Sequence, residues 1–233
     1  MIDIHAHILH AVDDGSKDTE QSLLMLKEAE RQGVTDIVLT PHYRADYLPE
    51  SVEVKERFEE LKTLAADNGI KVNLYLGQEI FVFGDLVKAI KNGTVFSVNG
   101  GKYVLTEFSA KHEMDIPETV YMLVKNGYIP IVAHIGRYFY ADVETAREVK
   151  EIGGRIQVNA SSICDSLKYR RKVYTLIKAG LVDYVASDVH YHRKNRMQKA
   201  YKKIAKKFGQ QTADELFNEN AKAVLQGVRQ IKK

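Results

Sequence analysis

The sequence predicts an α/β protein in which seven parallel strands curl into a distorted TIM-like (β/α)7 barrel. Short apolar runs of strand length alternate with amphipathic segments of helix length, a pattern typical of parallel βα units. Histidines or acidic residues lie at or just beyond the ends of six of the seven strands. A closed or nearly closed barrel explains this placement better than an open sheet, because all its strands end on one face.

The seven predicted strands are short and rich in isoleucine, valine and leucine. They cover residues 2–5, 34–40, 72–76, 103–106, 129–133, 155–158 and 182–186. No linker rich in proline, glycine or serine and no low-complexity tract interrupts the alternation of elements. We therefore expect a single domain over residues 1–233.

Eight helices are predicted between and after these strands. Ser16 is placed as the N-cap of the first helix, and Gly33 ends it. Pro117 suits a first helical turn, because its missing N–H would be unpaired there anyway. The helices cover residues 16–33, 51–67, 83–90, 117–125, 143–152, 172–179, 193–208 and 212–228.

Composition narrows the class of protein. No apolar run approaches the length of a membrane span, and the chain begins at its first strand, so neither stable membrane insertion nor a signal peptide is expected. One cysteine fits a reducing compartment, so we expect a cytoplasmic protein. The net charge of +3 is spread along the chain and does not indicate nucleic-acid binding. The oligomeric state cannot be inferred.

Eight candidate metal ligands lie at or just beyond the predicted strand ends. His5 and His7 are two residues apart and can present their imidazoles to one point. One such group alone is usually a helix cap or a polar strand end, but eight on one rim indicate a metal site. The eight are His5, His7, His42, Glu79, Glu107, His134, Asp188 and His190.

The ligand types indicate which metals and reactions the site suits. Imidazoles and carboxylates without thiolates suit Mn²⁺, Zn²⁺ or iron, and argue against a closed structural zinc site. Eight ligands are too many for one ion, so we expect two or three divalent ions bridged by carboxylates such as Glu107. Such clusters generate a hydroxide from bound water, which favours hydrolysis, above all of phosphoesters.

Arginines next to these ligands are candidates for holding a phosphate group. A guanidinium binds phosphate oxygens in a bidentate manner. Arg137 lies three residues after His134, and Arg193 and Arg196 follow His190. Arg137 is the strongest candidate of the three, followed by Arg196 and then Arg193.

Seven short motifs contain the candidate ligands. In chain order they are His5-Ala-His7, Asp13-Asp14-Gly15, Thr40-Pro41-His42, Gly77-Gln78-Glu79, Glu107-Phe108, Ala133-His134 and Ser187-Asp188-Val189-His190. With these motifs the sequence resembles the PHP (polymerase and histidinol phosphatase) superfamily. More narrowly, it resembles the bacterial metal-dependent protein-tyrosine phosphatases of capsule and exopolysaccharide loci. The Asp-Asp-Gly motif points to this branch rather than to histidinol phosphatases.

The resemblance implies a PHP-type barrel with up to three metal ions, often manganese, bound by the eight rim residues, and it adds Asp14 to them. It also implies two phosphate-binding arginines and a substrate on the phosphorylated tyrosine-rich tail of a bacterial tyrosine kinase. Two positions depart from the family pattern. Gly136 stands where the family usually has glutamate, and Asn195 stands where the second arginine is usual, so Arg196 is chosen as that arginine.

Other functions remain as alternatives. Cys164 and Arg170 have the C-x5-R spacing of cysteine-dependent tyrosine phosphatases, but the intervening residues contain no glycine and include Asp165. A different barrel metallohydrolase, such as a small-molecule phosphoesterase or a TatD-like nuclease, is the second enzymatic alternative. A non-catalytic metal-binding regulator is the third.

Overall fold

The computed structural model describes residues 1–226. Its strands are β1 (Ile2–Ala6), β2 (Asp36–Leu39), β3 (His42–Tyr43), β4 (Asn73–Leu76), β5 (Glu79–Phe81), β6 (Tyr103–Glu107), β7 (Ile129–Val132), β8 (Arg155–Asn159) and β9 (Tyr184–Ala186). Its α-helices are α1 (Thr19–Arg31), α2 (Ser51–Asp67), α3 (Leu86–Lys91), α4 (Ile116–Lys125), α5 (Val143–Ile152), α6 (Ala160–Cys164), α7 (Leu167–Lys178), α8 (Met197–Phe208), α9 (Gln210–Asp214) and α10 (Asn220–Leu225).

Every strand pair in the described residues is parallel, and the curled barrel predicted from the sequence is confirmed. One sheet has the order β1-β2-β4, and the other has the order β3-β5-β6-β7-β8-β9. A bridge between Ala6 and Val189 joins the first strand to the segment after the last strand. This contact brings the two outer edges of the curl together.

Two of the seven predicted strands are each followed in the structure by a short further strand that was not predicted. The run predicted over residues 34–40 ends at Leu39 and resumes at His42, because Pro41 has no N–H to donate to a neighbouring strand. The third predicted strand likewise resumes at Glu79 as β5. Each break moves the chain from the first sheet to the second, so seven predicted strands become nine.

The interior of the barrel is apolar up to the level of the site. Ile4, Leu105 and Ala186 belong to one buried cluster that also includes Ala221 and Val224 of α10. The Asn99 side-chain amide also holds α10 in place, because it donates a hydrogen bond of 2.8 Å to the Leu225 carbonyl. These contacts place α10 against the inner residues of the strands, and the polar candidate ligands lie at the other ends.

Several helix predictions need correction. Asp18, not Ser16, caps α1, and its Oδ1 accepts from the Gln21 N–H at 2.8 Å. The helix predicted over 172–179 begins at Leu167, because the Ser166 side chain caps it. Helix α6 was not predicted, and α8 begins four residues later than expected. The predicted terminal helix is three consecutive segments over 210–225, and its predicted end beyond residue 226 lies outside the described residues.

The helix over Ile116–Lys125 carries Pro117 in its first turn, as expected, and Asp115 caps it. The longest described helix, α2, is 17 residues long, and ten of its residues are exposed. None of the helices in residues 1–226 combines the length and the apolar character needed to cross a bilayer.

Candidate metal centre

All nine predicted metal ligands lie at the carboxyl-terminal ends of the strands or in the loops that follow them, a face called the rim below. His5 and Glu79 have no exposed surface. Asp14 is the most exposed member of the set, with 34% of its side chain accessible. The ligand atoms fall into three overlapping groups.

The first group lies at the centre of the rim. The His5 and His7 Nε2 atoms are 3.1 Å apart, and each is 3.2 Å from Glu79 Oε2. Asp188 Oδ1 lies 3.6 Å from His5 Nε2 and 3.5 Å from His7 Nε2. Four ligand atoms from β1, β5 and the loop after β9 therefore converge on one point.

The second group is built around the two glutamates. His42 Nδ1 lies 3.0 Å from Glu79 Oε2 and 3.7 Å from Glu107 Oε2. His134 Nε2 lies 2.8 Å from Glu79 Oε1 and 3.8 Å from Glu107 Oε1. Glu79 Oε2 is thus shared between the first and the second group, while Oε1 faces His134.

The third group contains Asp14, which only the resemblance had added. Its Oδ1 lies 3.3 Å from His190 Nε2 and 3.6 Å from His42 Nε2. The His7 ring stacks on the His190 ring at a centroid distance of 4.1 Å. The structure therefore brings Asp14 into the same rim as the eight other candidates.

Unusual backbone conformations place two of the ligands. His134 and Asp188 adopt left-handed conformations, with φ of 32° and 49°. Such conformations are costly for residues other than glycine and often accompany functional sites. The Asp188 N–H donates to the His5 carbonyl at 2.8 Å, which ties the last strand to the first. Gly15 is needed because a Cβ there would lie 2.1 Å from the His7 carbonyl oxygen.

Hydrogen bonds behind the histidines fix their tautomers. The Nδ1–H group of His7 donates to Asp13 Oδ2 at 2.7 Å, and that of His5 faces Gln157 Oε1 at 3.4 Å. His190 Nδ1 lies 3.2 Å from the Asp188 carbonyl oxygen. In each case the proton sits on Nδ1 and the Nε2 lone pair faces the centre, as metal-binding histidines require.

Strand β8 supplies no candidate ligand but supports those of its neighbours. Gln157 Oε1 also accepts from the His134 N–H at 2.6 Å, and the Gln157 amide donates to Asn159 at 2.8 Å. Asn159 in turn donates to Asp188 Oδ2 at 2.6 Å. The sequence analysis did not identify Gln157 and Asn159 as supporting residues, although two polar residues at alternate positions of a buried strand were a usable signal.

The carboxylates concentrate negative charge in the centre. Burial opposes the charged form of Glu79, but the His5 imidazole holds its pKa well below the usual value. Burial, together with repulsion from Glu79, raises the pKa of Glu107 to about 8. Burial also opposes ionisation of Asp188, but the Arg137 guanidinium lowers its pKa. Without a cation, these groups cannot all ionise at neutral pH without repulsion.

Two of the histidines stay neutral at neutral pH. Burial and the Arg137 charge lower the pKa of His134 to about 4. Burial and the neighbouring His7 lower the pKa of His190 to about 2. The neutral imidazole is the form that binds metals.

Several buried atoms in the centre make no hydrogen bond within residues 1–226, and a divalent ion would satisfy them. A buried polar atom without a partner normally costs free energy, so such a cluster calls for a ligand. The centre otherwise consists of nitrogen and oxygen donors of the kind that Mn²⁺, iron or Zn²⁺ accept. The unpaired atoms are Asp14 Oδ1, His42 Nδ1, Glu79 Oε2 and Glu107 Oε2.

The predicted arginines differ in where they point. Arg137 Nη2 lies 2.6 Å from Asp188 Oδ2, and Arg193 Nη1 lies 3.6 Å from the same oxygen. Arg196 instead bonds through Nε to Asp165 at 2.9 Å, away from the candidate ligands. The sequence analysis ranked Arg196 above Arg193 because Arg196 is adjacent to Asn195, where the family usually has its second arginine, but in the structure Arg193 is the one that approaches Asp188.

A further arginine at the rim was not predicted. Arg44 follows β3, and its Nη1 lies 4.0 Å from Glu107 Oε2 while its Nη2 lies 3.9 Å from Asp14 Oδ2. The signal available in the sequence was a cation two residues after the candidate ligand His42.

The C-x5-R segment does not form a phosphate cradle. Arg170 donates from Nε to the Ile163 carbonyl at 2.6 Å and from Nη2 to the Cys164 carbonyl at 3.0 Å, so it closes the end of α6. Burial raises the pKa of the Cys164 thiol, which disfavours the thiolate that a cysteine mechanism needs. This geometry argues against the cysteine alternative.

The parallel barrel and its rim of imidazoles and carboxylates define the class as a barrel protein with a candidate metal centre. Comparison with known proteins narrows this class. A family model described as "Capsular polysaccharide synthesis, CpsB/CapC" matches residues 1–226, and the chain belongs to this family.

Individual relatives agree with the family match. The tyrosine-protein phosphatase CpsB of Streptococcus agalactiae is 33% identical over 239 residues, which cover 97% of this chain and 98% of that protein. The tyrosine-protein phosphatase YwqE of Bacillus subtilis is 32% identical, with 97% and 91% covered. A structure from work on YwqE of B. subtilis and CpsB of Streptococcus pneumoniae, described as unique metal-dependent tyrosine phosphatases, matches with a TM-score of 0.90. Its sequence is 31% identical, and the match covers 97% of this chain and 94% of that one.

Proposed function

We propose that this protein is a metal-dependent protein-tyrosine phosphatase that acts in the cytoplasm. The observation that carries the proposal is the convergence of eight candidate metal-binding side chains in three groups on one rim, with His134 beside Glu79 and Arg137 beside Asp188. These side chains come from residues 5 to 190, so the single domain expected over residues 1–233 is part of the proposal. The proposal agrees with the activity for which the relatives CpsB and YwqE are named.

Two or three divalent ions would be held by the three overlapping ligand groups, with Mn²⁺ as the preferred metal. Glu79 would be shared between ions, because it belongs to two of the groups and its Oε1 also faces His134. Bound there, the ions would supply a water of lowered pKa and neutralise phosphoryl charge. Asp13 and Gln157 keep His7 and His5 in the tautomer that such binding needs.

Two arginines are proposed to hold the phosphoryl group. Arg137 stays a cation, because the carboxylate of Asp188 outweighs the effect of burial and raises the pKa of the guanidinium. Arg193 shares the same Asp188 oxygen, so we place it second in the pair, ahead of Arg196. Both guanidiniums can turn from Asp188 towards phosphoryl oxygens and stabilise the charge that develops during transfer.

The proposed substrate is a phosphotyrosine on the tail of a bacterial tyrosine kinase that regulates capsule or exopolysaccharide synthesis. The family description connects the chain with capsular polysaccharide synthesis. Tyrosine also suits a centre without an obvious acid, because a phenol with a pKa near 10 leaves more easily than an alkanol.

The test is hydrolysis of a phosphotyrosine peptide by the wild-type protein and by Cys164→Ser. Activity should disappear after chelation, return with Mn²⁺ and be the same in Cys164→Ser. Activity that survives chelation but is lost in Cys164→Ser would support the cysteine mechanism instead. Hydrolysis of DNA but not of aryl phosphates would favour the nuclease alternative, and metal binding without any turnover would favour a non-catalytic regulator.

A further inference from the structure

A groove of about 400 Å³ opens outward from the metal centre. Glu107 and Arg44 both line it, with Arg44 Nη1 4.0 Å from Glu107 Oε2. Phe81, Phe108, Lys111 and Asp46 are among its other lining residues. A volume of this size lies within the range of small-molecule sites, which are typically about 300–1,000 Å³ and have aromatic walls.

The Arg44 guanidinium has a fixed position, but its hydrogen-bonding capacity is not fully used. Its Nε is buried and has no hydrogen-bond partner within residues 1–226. The nearest carboxylate oxygens, from Asp46, Asp14 and Glu107, lie 3.5, 3.9 and 4.0 Å from its Nη atoms, beyond a normal hydrogen bond. The guanidinium stacks on the Tyr47 ring at 5.3 Å.

The backbone keeps this arginine on the groove side of the centre. Arg44 and Tyr47 exchange two backbone hydrogen bonds of 2.8 Å, which close a tight turn after β3. Arg137 and Arg193 approach Asp188, whereas Arg44 approaches Asp14 and Glu107. A phosphoryl group bound over the ligands would therefore have two arginines on one side and Arg44 on the side of the groove.

Phe81 forms an aromatic wall of the groove on the same face of β5 as the candidate ligand Glu79. It lies two residues after Glu79 on β5, so both side chains project from the same face of the strand. The Phe81 side chain is partly exposed, whereas Phe108 is buried. An aromatic group that entered the groove would bury further apolar surface of Phe81.

We propose that this groove binds the aryl group of the substrate and that Arg44 stabilises the leaving oxygen. The inference rests on the proposed phosphatase function. The bond from phosphorus to the aryl oxygen breaks, its electron pair stays on that oxygen, and a bond from phosphorus to a water oxygen forms while that water gives up a proton to solvent. Arg44 stays protonated throughout and offsets the phenolate charge, and the phenolate then takes a proton from solvent.

A binding measurement tests the groove without turnover. Calorimetry on the Mn²⁺-loaded protein compares benzylphosphonate with methylphosphonate, which differ by the ring. The wild-type protein should bind the benzyl compound about tenfold more tightly. Phe81→Ala should remove most of this preference. Phe139→Ala is the matched control, because Phe139 is an aromatic residue of the same rim, 67% exposed, that does not line the groove.

A kinetic measurement tests the role of Arg44. Aryl phosphates are compared whose phenols range in pKa from about 10 down to about 7. Arg44→Gln should lower kcat/KM about 100-fold for the least acidic phenol and less than about tenfold for the most acidic one. Arg147→Gln, a surface arginine of α5, is the control. Metal content is measured for each variant and should equal that of the wild type.

The outcomes separate this inference from the proposed function. A benzyl preference that survives Phe81→Ala, or a loss that is equal for all phenols in Arg44→Gln, would overturn it. A benzyl preference that depends on Phe81 in a protein without phosphoesterase activity would refute the phosphatase function but keep the aryl site.

Discussion

Asp13 offers the sharpest test of how the centre is organised, because it contacts ligands without being a candidate ligand itself. Its Oδ2 accepts from His7 Nδ1–H at 2.7 Å and from the His42 N–H at 2.9 Å, and its Oδ1 accepts from the Gly15 N–H at 2.9 Å. Asp13→Asn keeps the shape of the side chain. It replaces one acceptor by an amide N–H₂ group, so at least one of the three donors faces another donor.

The size of the effect follows from the carboxylate's environment. Burial opposes the charged form of Asp13, but His7 and the backbone donors lower its pKa from 3.8 to about 2. A lowered pKa contributes stability that is complete above about pH 4 and is lost as the pH falls through about 2. The shift corresponds to about 2 kcal/mol at neutral pH. For a chain of this length we expect Asp13→Asn to lower Tm by about 4–8 °C.

Metal affinity should fall as well, because residues behind a ligating histidine typically contribute 10–100-fold in affinity. The assays are thermal unfolding of the metal-depleted protein and Mn²⁺ titration followed by calorimetry. Asp18→Asn is the matched control, since Asp18 caps α1 and asparagine caps a helix equally well. A Tm within 1 °C of wild type and an unchanged Mn²⁺ affinity in Asp13→Asn would refute the reasoning.

Two further predictions concern the arginines and pH. Arg193→Gln should lower kcat/KM for a phosphotyrosine peptide at least about tenfold, while Arg196→Gln should change it less than about threefold, because Arg196 pairs with Asp165. Steady-state kinetics of the two variants, measured side by side, test this prediction. A larger loss of kcat/KM in Arg196→Gln than in Arg193→Gln would restore Arg196 as the second phosphate-binding arginine. The metal-depleted protein should lose stability as the pH rises from about 5 to 8, because burial and Glu79 raise the folded-state pKa of Glu107 from 4.5 to about 8. The rise in Tm on adding Mn²⁺ should therefore be larger at pH 8 than at pH 6, and equal rises would contradict the assigned environment of Glu107.

The barrel and its rim could be predicted because both depend on simple periodicities. Residues two apart on a strand share a face, and parallel strands end on one side, so His5, His7 and Glu107 could be expected to meet. The breaks in the second and third strands could not be predicted. An apolar run that ends near Pro41 looks the same whether the chain stops pairing or continues in another sheet.

The residues that support the ligands were harder to predict for a different reason. Gln157 and Asn159 act through hydrogen bonds to groups on other strands, and strand order does not reveal which side chains touch. The choice of Arg196 over Arg193 rested on the spacing from His190, and spacing along the chain does not reveal that Arg193 approaches Asp188 while Arg196 pairs with Asp165. Arg44 resembles any surface arginine until the turn that holds it is seen.

The measurement that tests the central claim most directly is anomalous diffraction from crystals grown with Mn²⁺ and recorded on both sides of the manganese absorption edge. We expect two or three manganese peaks inside the rim, one of them bonded to His5, His7, Glu79 and Asp188. No peak among these side chains at saturating Mn²⁺, or peaks only elsewhere on the protein, would contradict the assignment of the rim as a metal centre.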